Sequence, residues 1–249
     1  MREKLITLSY IFNGDVVKIK QAIDCNLEVR VNRDFIEELK GKNIEAVTIL
    51  DENYPKSLLE LYNPPYVIYC LGNIKLLKNE KSAIIGSRTN LNYSKNVCEK
   101  LVEKLESDIV IVSGLAKGID SFAHKFAIEH RRSTIAVIGS GFDKIYPACN
   151  MELAKEISKN HLLISEYPVG VRAMKHHFPI RNRIIAALST KVYVIEAAIA
   201  SGSLITANIA LELGRDIYCA PGSVFDVGYE GSHRLINDGA YLLELRNEV

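Results

Sequence analysis

Six short runs rich in consecutive Ile and Val recur from Ser82 onward: SAIIGS, DIVIVSG, STIAVIGS, HLLISE, KVYVIEA and DIYCAPG. Each has the length of a strand, and apolar residues on successive positions require both strand faces to be buried, which is the condition of a parallel sheet. Between them lie YSKNVCEKLVEKLE, GIDSFAHKFAIEH, NMELAKEISKN, PIRNRIIAALS and SLITANIALEL, whose apolar residues return at helical spacing. Strands alternating with helices in this way give a doubly wound α/β class, a mainly parallel sheet with helices on both faces through right-handed crossovers.

Residues 1–65 read differently. VVKIKQAIDCN and RDFIEELKGK have helical spacing and are followed by the Pro-punctuated NYPKSLLELYNPPYVIYC, where Pro64 and Pro65 favour extended chain. The expectation is a small helical N-terminal domain with a docking segment at 1–65, joined to a sheet domain at 66–249. The 249-residue length suits that division.

No apolar run approaches the length of a membrane span. The first residues, MREKLITLSYIFNG, lack the long apolar stretch and small-residue cleavage site of a signal peptide. The expected location is therefore cytoplasmic, with no membrane partner. Five scattered cysteines without CxxC spacing argue against a disulfide framework and a zinc site.

The formal charge of +1 is unevenly spread. Between Glu166 and Glu196 there is no acidic residue, while Arg172, Lys175, Arg181, Arg183 and Lys191 fall there with His176 and His177. From Glu196 onward acids outnumber bases. A local basic patch on a near-neutral protein is the expected electrostatic map.

In an open parallel sheet, ligands bind beyond the carboxyl ends of the strands, so residues directly after each run are the informative ones. The first run leads to Gly86, Ser87 and Arg88. The second leads to Ser113, Gly114, Lys117 and Gly118, and the fifth to Glu196 and then Ser201, Gly202, Ser203 and Thr206. Glycine lets a phosphate approach the backbone, and hydroxyls and helix-start N–H groups hydrogen-bond it; the same residues also make tight turns and N-caps. The GSRTNLNY turn lacks GxGxxG, and no GxxxxGK[ST], GxSxG or HExxH is present. No cofactor, metal or catalytic residue is expected.

KHHFPIRNR, from Lys175 to Arg183, places an aromatic among cations and amide donors. Arg and Lys neutralise phosphates and aromatics stack bases, which is what a protein tracking single-stranded nucleic acid needs. Phe178 also suits a hydrophobic staple ahead of a helix starting at Pro179, with Arg181 and Arg183 on its solvated face.

Taken in order, these loops resemble the DprA/Smf family from about Tyr54 to Ala240. The likeness includes YP at Tyr54, PP at Pro64, GSR at Gly86, SGLAKGID at Ser113 and TIAVIGSGFDKIYP at Thr134. It continues through SEYPVG at Ser165, FPIRNRIIAALS at Phe178, SGSLITA at Ser201, APG at Ala220 and GSHRLINDGA at Gly231. The resemblance implies an extended Rossmann-like fold that binds single-stranded DNA without cleaving it, protects incoming strands in natural transformation, forms a homodimer and helps load a RecA-type recombinase. By motif position, Arg88, Lys175 and Phe178 contact the strand. Gly86, Ser87, Ser113, Gly114, Lys117, Gly118, Ser201, Gly202, Ser203 and Thr206 line the pocket, and Arg181, Asn182 and Arg183 join them, the last two also suited to holding the loop internally. Leu91, Ser94, Ala173 and Ala187 depart from the family pattern beside these positions. The sequence ends at Val249, soon after the last expected strand, so a C-terminal winged-helix domain is not expected.

The main alternative is an enzyme, a nucleotide-cleaving phosphoribohydrolase of the lysine-decarboxylase-like class, with Glu166 or Glu196 as acid/base group. Such enzymes resemble one another in PGGxGTxxE, where this chain has PGSVFDVGYEGS.

Overall fold

The computed structural model describes residues 1–89 and 92–245. The N-terminal part is helical: α1 (Arg2–Ile11), α2 (Val16–Asp24) and α3 (Arg33–Gly41). The Asp15 carboxylate accepts from the Val17 and Lys18 amides at the start of α2, and Asn32 accepts from Phe35 at the start of α3. Both are side-chain caps that satisfy otherwise unpaired helix-start donors.

The chain then enters the sheet earlier than the sequence reading places it. β1 (Ile44–Thr48) pairs antiparallel with β2 (Val67–Gly72), and β2 pairs antiparallel with β6 (Leu162–Ser165). The sheet thus takes one strand, β1, from before the division at residue 65 and the others from after it. Leu5, Ile6, Phe35 and Leu39 pack on Ile44, Ala46, Val67 and Tyr69, so the N-terminal helices bury their apolar faces on this edge.

The remaining elements alternate as the apolar runs predict: β3 (Lys81–Ile85), α4 (Asn92–Lys104), β4 (Val110–Ser113), α5 (Ile119–Glu129), β5 (Thr134–Ile138), α6 (Met151–Asn160) and β6. After these come α7 (His177–Leu188), β7 (Lys191–Val194), α8 (Gly202–Glu212) and β8 (Asp216–Cys219), and then α9 (Glu230–Asn237) and β9 (Tyr241–Leu242), which the runs do not include. The strand order is β1-β2-β6-β5-β4-β3-β7-β8-β9, with every pair from β6 to β9 parallel. One face packs on α7 and α8 through Ile184, Ile185, Ala207 and Ala210. The other packs on α4 and α5 through Cys98, Leu101, Ile119 and Ala123, and on α6 through Leu153 and Ile157.

The winding reverses at β3. From it the chain steps outward through β4, β5 and β6, then returns to lay β7 on its other side. The loops after β3 and β7 consequently diverge to opposite faces and leave a crevice at the carboxyl edge, the place where doubly wound sheets bind ligands.

Candidate nucleic-acid interface

A cavity of about 560 Å³ occupies this switch point. Gly86, Ser87 and Arg88 line it from the loop after β3, and Ser201, Gly202, Ser203 and Thr206 from the start of α8. Lys175, Phe178, Arg181 and Asn182 line it from the start of α7. Eleven of the residues singled out from the sequence therefore meet in one crevice. Ser113, Gly114, Lys117, Gly118 and Arg183 do not line it.

The crevice is held open by internal hydrogen bonds. The Ser203 hydroxyl donates to the Gly86 carbonyl at 2.8 Å, stitching α8 to the β3 loop, and Ser201 caps α8 by accepting from the Leu204 amide at 3.4 Å. Thr206 is buried beneath them. Gly202 and Ser203 stand at the helix start, where N–H groups lack intrahelical acceptors and the dipole favours an anion.

Arg181 proves to be a strut. Only 4% exposed, its guanidinium donates to the carbonyls of Gly114 and Val137, at the ends of β4 and β5, and its Nε donates to Asn182 Oδ1 at 3.0 Å. Burial lowers its pKa to about 10, with buried Asp120 opposing that shift. Asp120 in turn is raised by burial and drawn down by Arg181, and its carboxylate accepts from the Ala116 amide at 3.3 Å. A Cβ on Gly114 would sit 2.5 Å from the Arg181 guanidinium, which is why the strut requires glycine there. Asn182 is likewise engaged, donating to the Gly202 carbonyl at 3.2 Å.

The loop after β4 supports the crevice from behind. The Ser113 hydroxyl donates to the Ile84 carbonyl at 2.7 Å. Gly118 adopts φ +76° and lies against the Ser87 carbonyl, so close that any side chain would collide. Lys117 is exposed outside the crevice. Arg183 points to the opposite side of α7, where it pairs with Glu166 at 2.5 Å.

What remains unengaged is small and specific. Arg88 and Lys175 are exposed and make no hydrogen bond or ion pair with any described residue; the Arg88 guanidinium lies 5.9 Å from the centre of the Phe178 ring. Phe178 is half-buried and sits 5.5 Å from the Tyr146 ring at an interplanar angle of 42°. The two rings form an open V with a cation at its edge. Tyr146 also lines the crevice, from the loop after β5, and is 56% exposed. The sequence reading did not select it, although an aromatic after a strand end was the available signal. Among the departures, Ser94 donates to Glu196 and also pairs with the Tyr229 hydroxyl beneath the loop after β8, whereas Leu91 lies outside the described residues. Among the described residues, no group of His, Cys, Asp or Glu has metal-site geometry, and no helix is long and apolar enough to cross a membrane.

Residues 45–249 match the family model described as DNA recombination-mediator protein A. The chain is similar to DNA processing protein DprA of Streptococcus pneumoniae, 46% identical over 204 residues, covering 82% of this chain and 72% of that protein. The crystal structure of the pneumococcal protein superposes with a TM-score of 0.85 at 36% identity, covering 98% of this chain and 94% of that one. A Helicobacter pylori DNA processing protein A, described for its mode of binding single-stranded DNA, matches with a TM-score of 0.74 at 33% identity over 81% of this chain and 92% of its own.

Proposed function

The chain belongs to the DNA recombination-mediator protein A family, and from that premise we propose that it grips single-stranded DNA in the crevice between the β3 and β7 loops and catalyses no reaction on it. The observation that carries this reading is the coincidence of two unengaged cations, Arg88 and Lys175, with the Phe178–Tyr146 aromatic pair in one cavity. Phosphates meet the cations and the N–H groups at the start of α8, while a base stacks against the Phe178 ring with Tyr146 as the second wall. Stacking needs an unpaired base, which a paired duplex does not offer.

The wider role rests on the family. The strand is protected during natural transformation and handed to a RecA-type recombinase in the cytoplasm, and a homodimer offers two crevices whose linkage raises avidity on longer strands. The phosphoribohydrolase alternative is not favoured. Its PGGxGTxxE segment is missing, Glu196 is buried against Ser94, and Glu166 is paired with Arg183 on the far side of α7.

The deciding experiment compares single-stranded and blunt duplex DNA of equal length across salt concentrations. Single strands bind more tightly, and affinity falls steeply with salt as counterions are released. Equal affinity for duplex, or release of base from AMP beyond stoichiometry, overturns the reading.

A further inference from the structure

α4 and α5 both run away from the carboxyl edge of the sheet, because each follows a strand end, that of β3 and that of β4. They share one apolar cluster, with Cys98 and Leu101 from the first and Ile119 and Ala123 from the second. On the outer seam between them the Phe122 and Phe126 rings of α5 stack, with centroids 5.9 Å apart at 18°. Lys95 of α4 places its Nζ 5.4 Å from the Phe122 centroid and 6.0 Å from that of Phe126, and Lys125 of α5 places its own 6.0 Å from Phe122.

Both lysines are exposed, and neither makes an ion pair with any described residue. A ring face attracts an ammonium group without neutralising it, so two positive charges are gathered on one half-buried ring with no carboxylate paired to either. Glu99 and Glu129 follow the lysines by four residues, about 6 Å further along each helix. Each helix therefore carries its cation nearer the carboxyl edge and its acid farther from it. The seam adjoins the crevice: a Cβ on Gly118 would stand 2.8 Å from the Arg88 Cα, and the Phe122 amide donates to the Gly118 carbonyl at 3.0 Å. Phe122 is thus one helical turn, about 6 Å, from the glycine on which the Arg88 backbone rests.

We infer that Lys95 and Lys125 form a second phosphate-binding site, outside the crevice, for a DNA strand that passes from Arg88 onto the seam between α4 and α5. This rests on the reading of the crevice as a single-strand site. Each ammonium group takes one backbone phosphate. The Phe122 ring supports the lysine stems and does not stack a base, since Phe126 stacks on it and both lysines lie over it. The occupant is the strand and not a separate acidic segment because the seam is continuous with the crevice. A chain already anchored at Arg88 meets the lysines at high effective concentration, so two exposed cations that would hold a free anion weakly add to its binding.

Thymidine oligomers of about 4 and about 16 nucleotides, the limits of site size for single-strand modules, test this by amide shift mapping on the isotope-labelled full chain. The shorter one is expected to shift Gly86, Ser87 and Gly202 and to leave the seam unmoved, whereas the longer one also shifts Lys95, Phe122 and Lys125. Replacing both cations, Lys95→Gln with Lys125→Gln, lowers the salt slope for the longer oligomer by about 1.4, two phosphates at about 0.7 each. The same variant binds the shorter oligomer with the affinity and slope of the parent, and Lys95→Arg with Lys125→Arg keeps the parent slope at both lengths. The inference is overturned if the longer oligomer leaves the seam amides unmoved, if the Gln pair keeps the parent slope, or if its loss is equal at both lengths. A glutamate oligomer of the same charge that binds the seam as tightly as the longer strand overturns it in favour of an acidic partner, and saturable seam shifts from inorganic phosphate alone overturn it in favour of a free anion. The crevice amides report separately, so a shorter oligomer that fails to move them marks a failure of the crevice reading and not of the seam alone.

Discussion

The loop after β3 and the loop after β4 carry the same ingredients, glycine, a hydroxyl and one cation, but they are in opposite physical states. In the β4 loop, Ser113 donates to Ile84, the Gly114 carbonyl accepts from Arg181, the Ala116 amide donates to Asp120, and the Ile119 amide donates to the Ser87 carbonyl at 3.1 Å. Apart from the exposed Lys117 side chain, these polar groups are matched within the protein. In the β3 loop the backbone is also tied down, through Ser203 on Gly86, but the Arg88 side chain stands open over Phe178 with no described acceptor. The difference teaches that a glycine-rich, cation-bearing loop becomes a binding surface only where its donors are left over once folding is complete.

The largest expected effect separates two arginines that the motif treats alike. Arg181→Ala removes a buried guanidinium from two carbonyls and leaves Asp120 uncompensated, a loss of about 3–5 kcal/mol in stability. Arg88→Ala, on the exposed side of the same crevice, leaves the melting temperature within about 1 °C of the parent. Calorimetry on both variants checks this. An Arg181→Ala protein that melts normally while losing DNA would make Arg181 a ligand contact and dissolve the comparison.

The supporting side of the molecule carries a pH signature in a buried histidine. His124, on α5 directly after the β4 loop, is fully buried; its Nδ1 pairs with Thr134 Oγ1 at 2.7 Å and its Nε2 has no partner. Burial lowers its pKa from 6.5 to about 3. The unfolded chain therefore takes up a proton below 6.5 that the folded chain refuses, so this contribution is complete above that pH and is lost as pH falls from 6.5 towards 3. Between pH 7 and 5 the loss is about 2 kcal/mol. Urea unfolding at the two pH values should show it, and His124→Leu should remove that share of the slope.

Within the open crevice, ring and charge are separable. Phe178→Ala should cost about 1–3 kcal/mol in strand affinity with the salt slope almost unchanged, because no counterion is displaced by stacking. Arg88→Ala and Lys175→Ala should each weaken binding and lower the slope by about 0.7, the contribution of one phosphate on a single strand. Titrations at several salt concentrations distinguish the two classes. A lower melting temperature as the main defect of Phe178→Ala would support the hydrophobic staple instead.

The parallel strands β3 to β8 were legible because burial on both faces writes itself as consecutive Ile and Val, whereas β9, two exposed residues long, carries no such run. β1 and β2 were not legible either. IEAVT is short with one exposed position, YVIYC follows a Pro pair, and both segments sit beside helical sequence, so neither carried a strand signature of its own. The crevice was legible in outline from the acid-free stretch and the loops after β3 and β7. What the pattern could not resolve is direction. Arg181, Asn182 and Arg183 are successive residues on one helix, about 100° apart, and they turn respectively to the sheet core, to the Gly202 carbonyl and to the Glu166 carboxylate. Only the packing of α7 decides which cation is free.

Lys117 gives the smallest effect and the most direct test of the lesson. It belongs to the matched loop, yet it is itself exposed and without a described partner, like Arg88. It differs in standing outside the cavity. If a leftover cation binds DNA only when it shares a crevice with a stacking ring, Lys117→Ala should change strand affinity by less than about twofold, the scale of a screened surface charge. Its salt slope should match that of the parent. If the strand runs on from the crevice across the β4 loop, the slope should drop by about 0.7, as for Arg88→Ala. Oligomer length sharpens the reading. A strand just long enough to fill the crevice should be indifferent to Lys117, so a loss that appears only with longer strands would mark Lys117 as part of an extended track. A loss of the same size at every length would place it beside Arg88, and an open donor alone, without the aromatic pair, would then suffice to hold the strand.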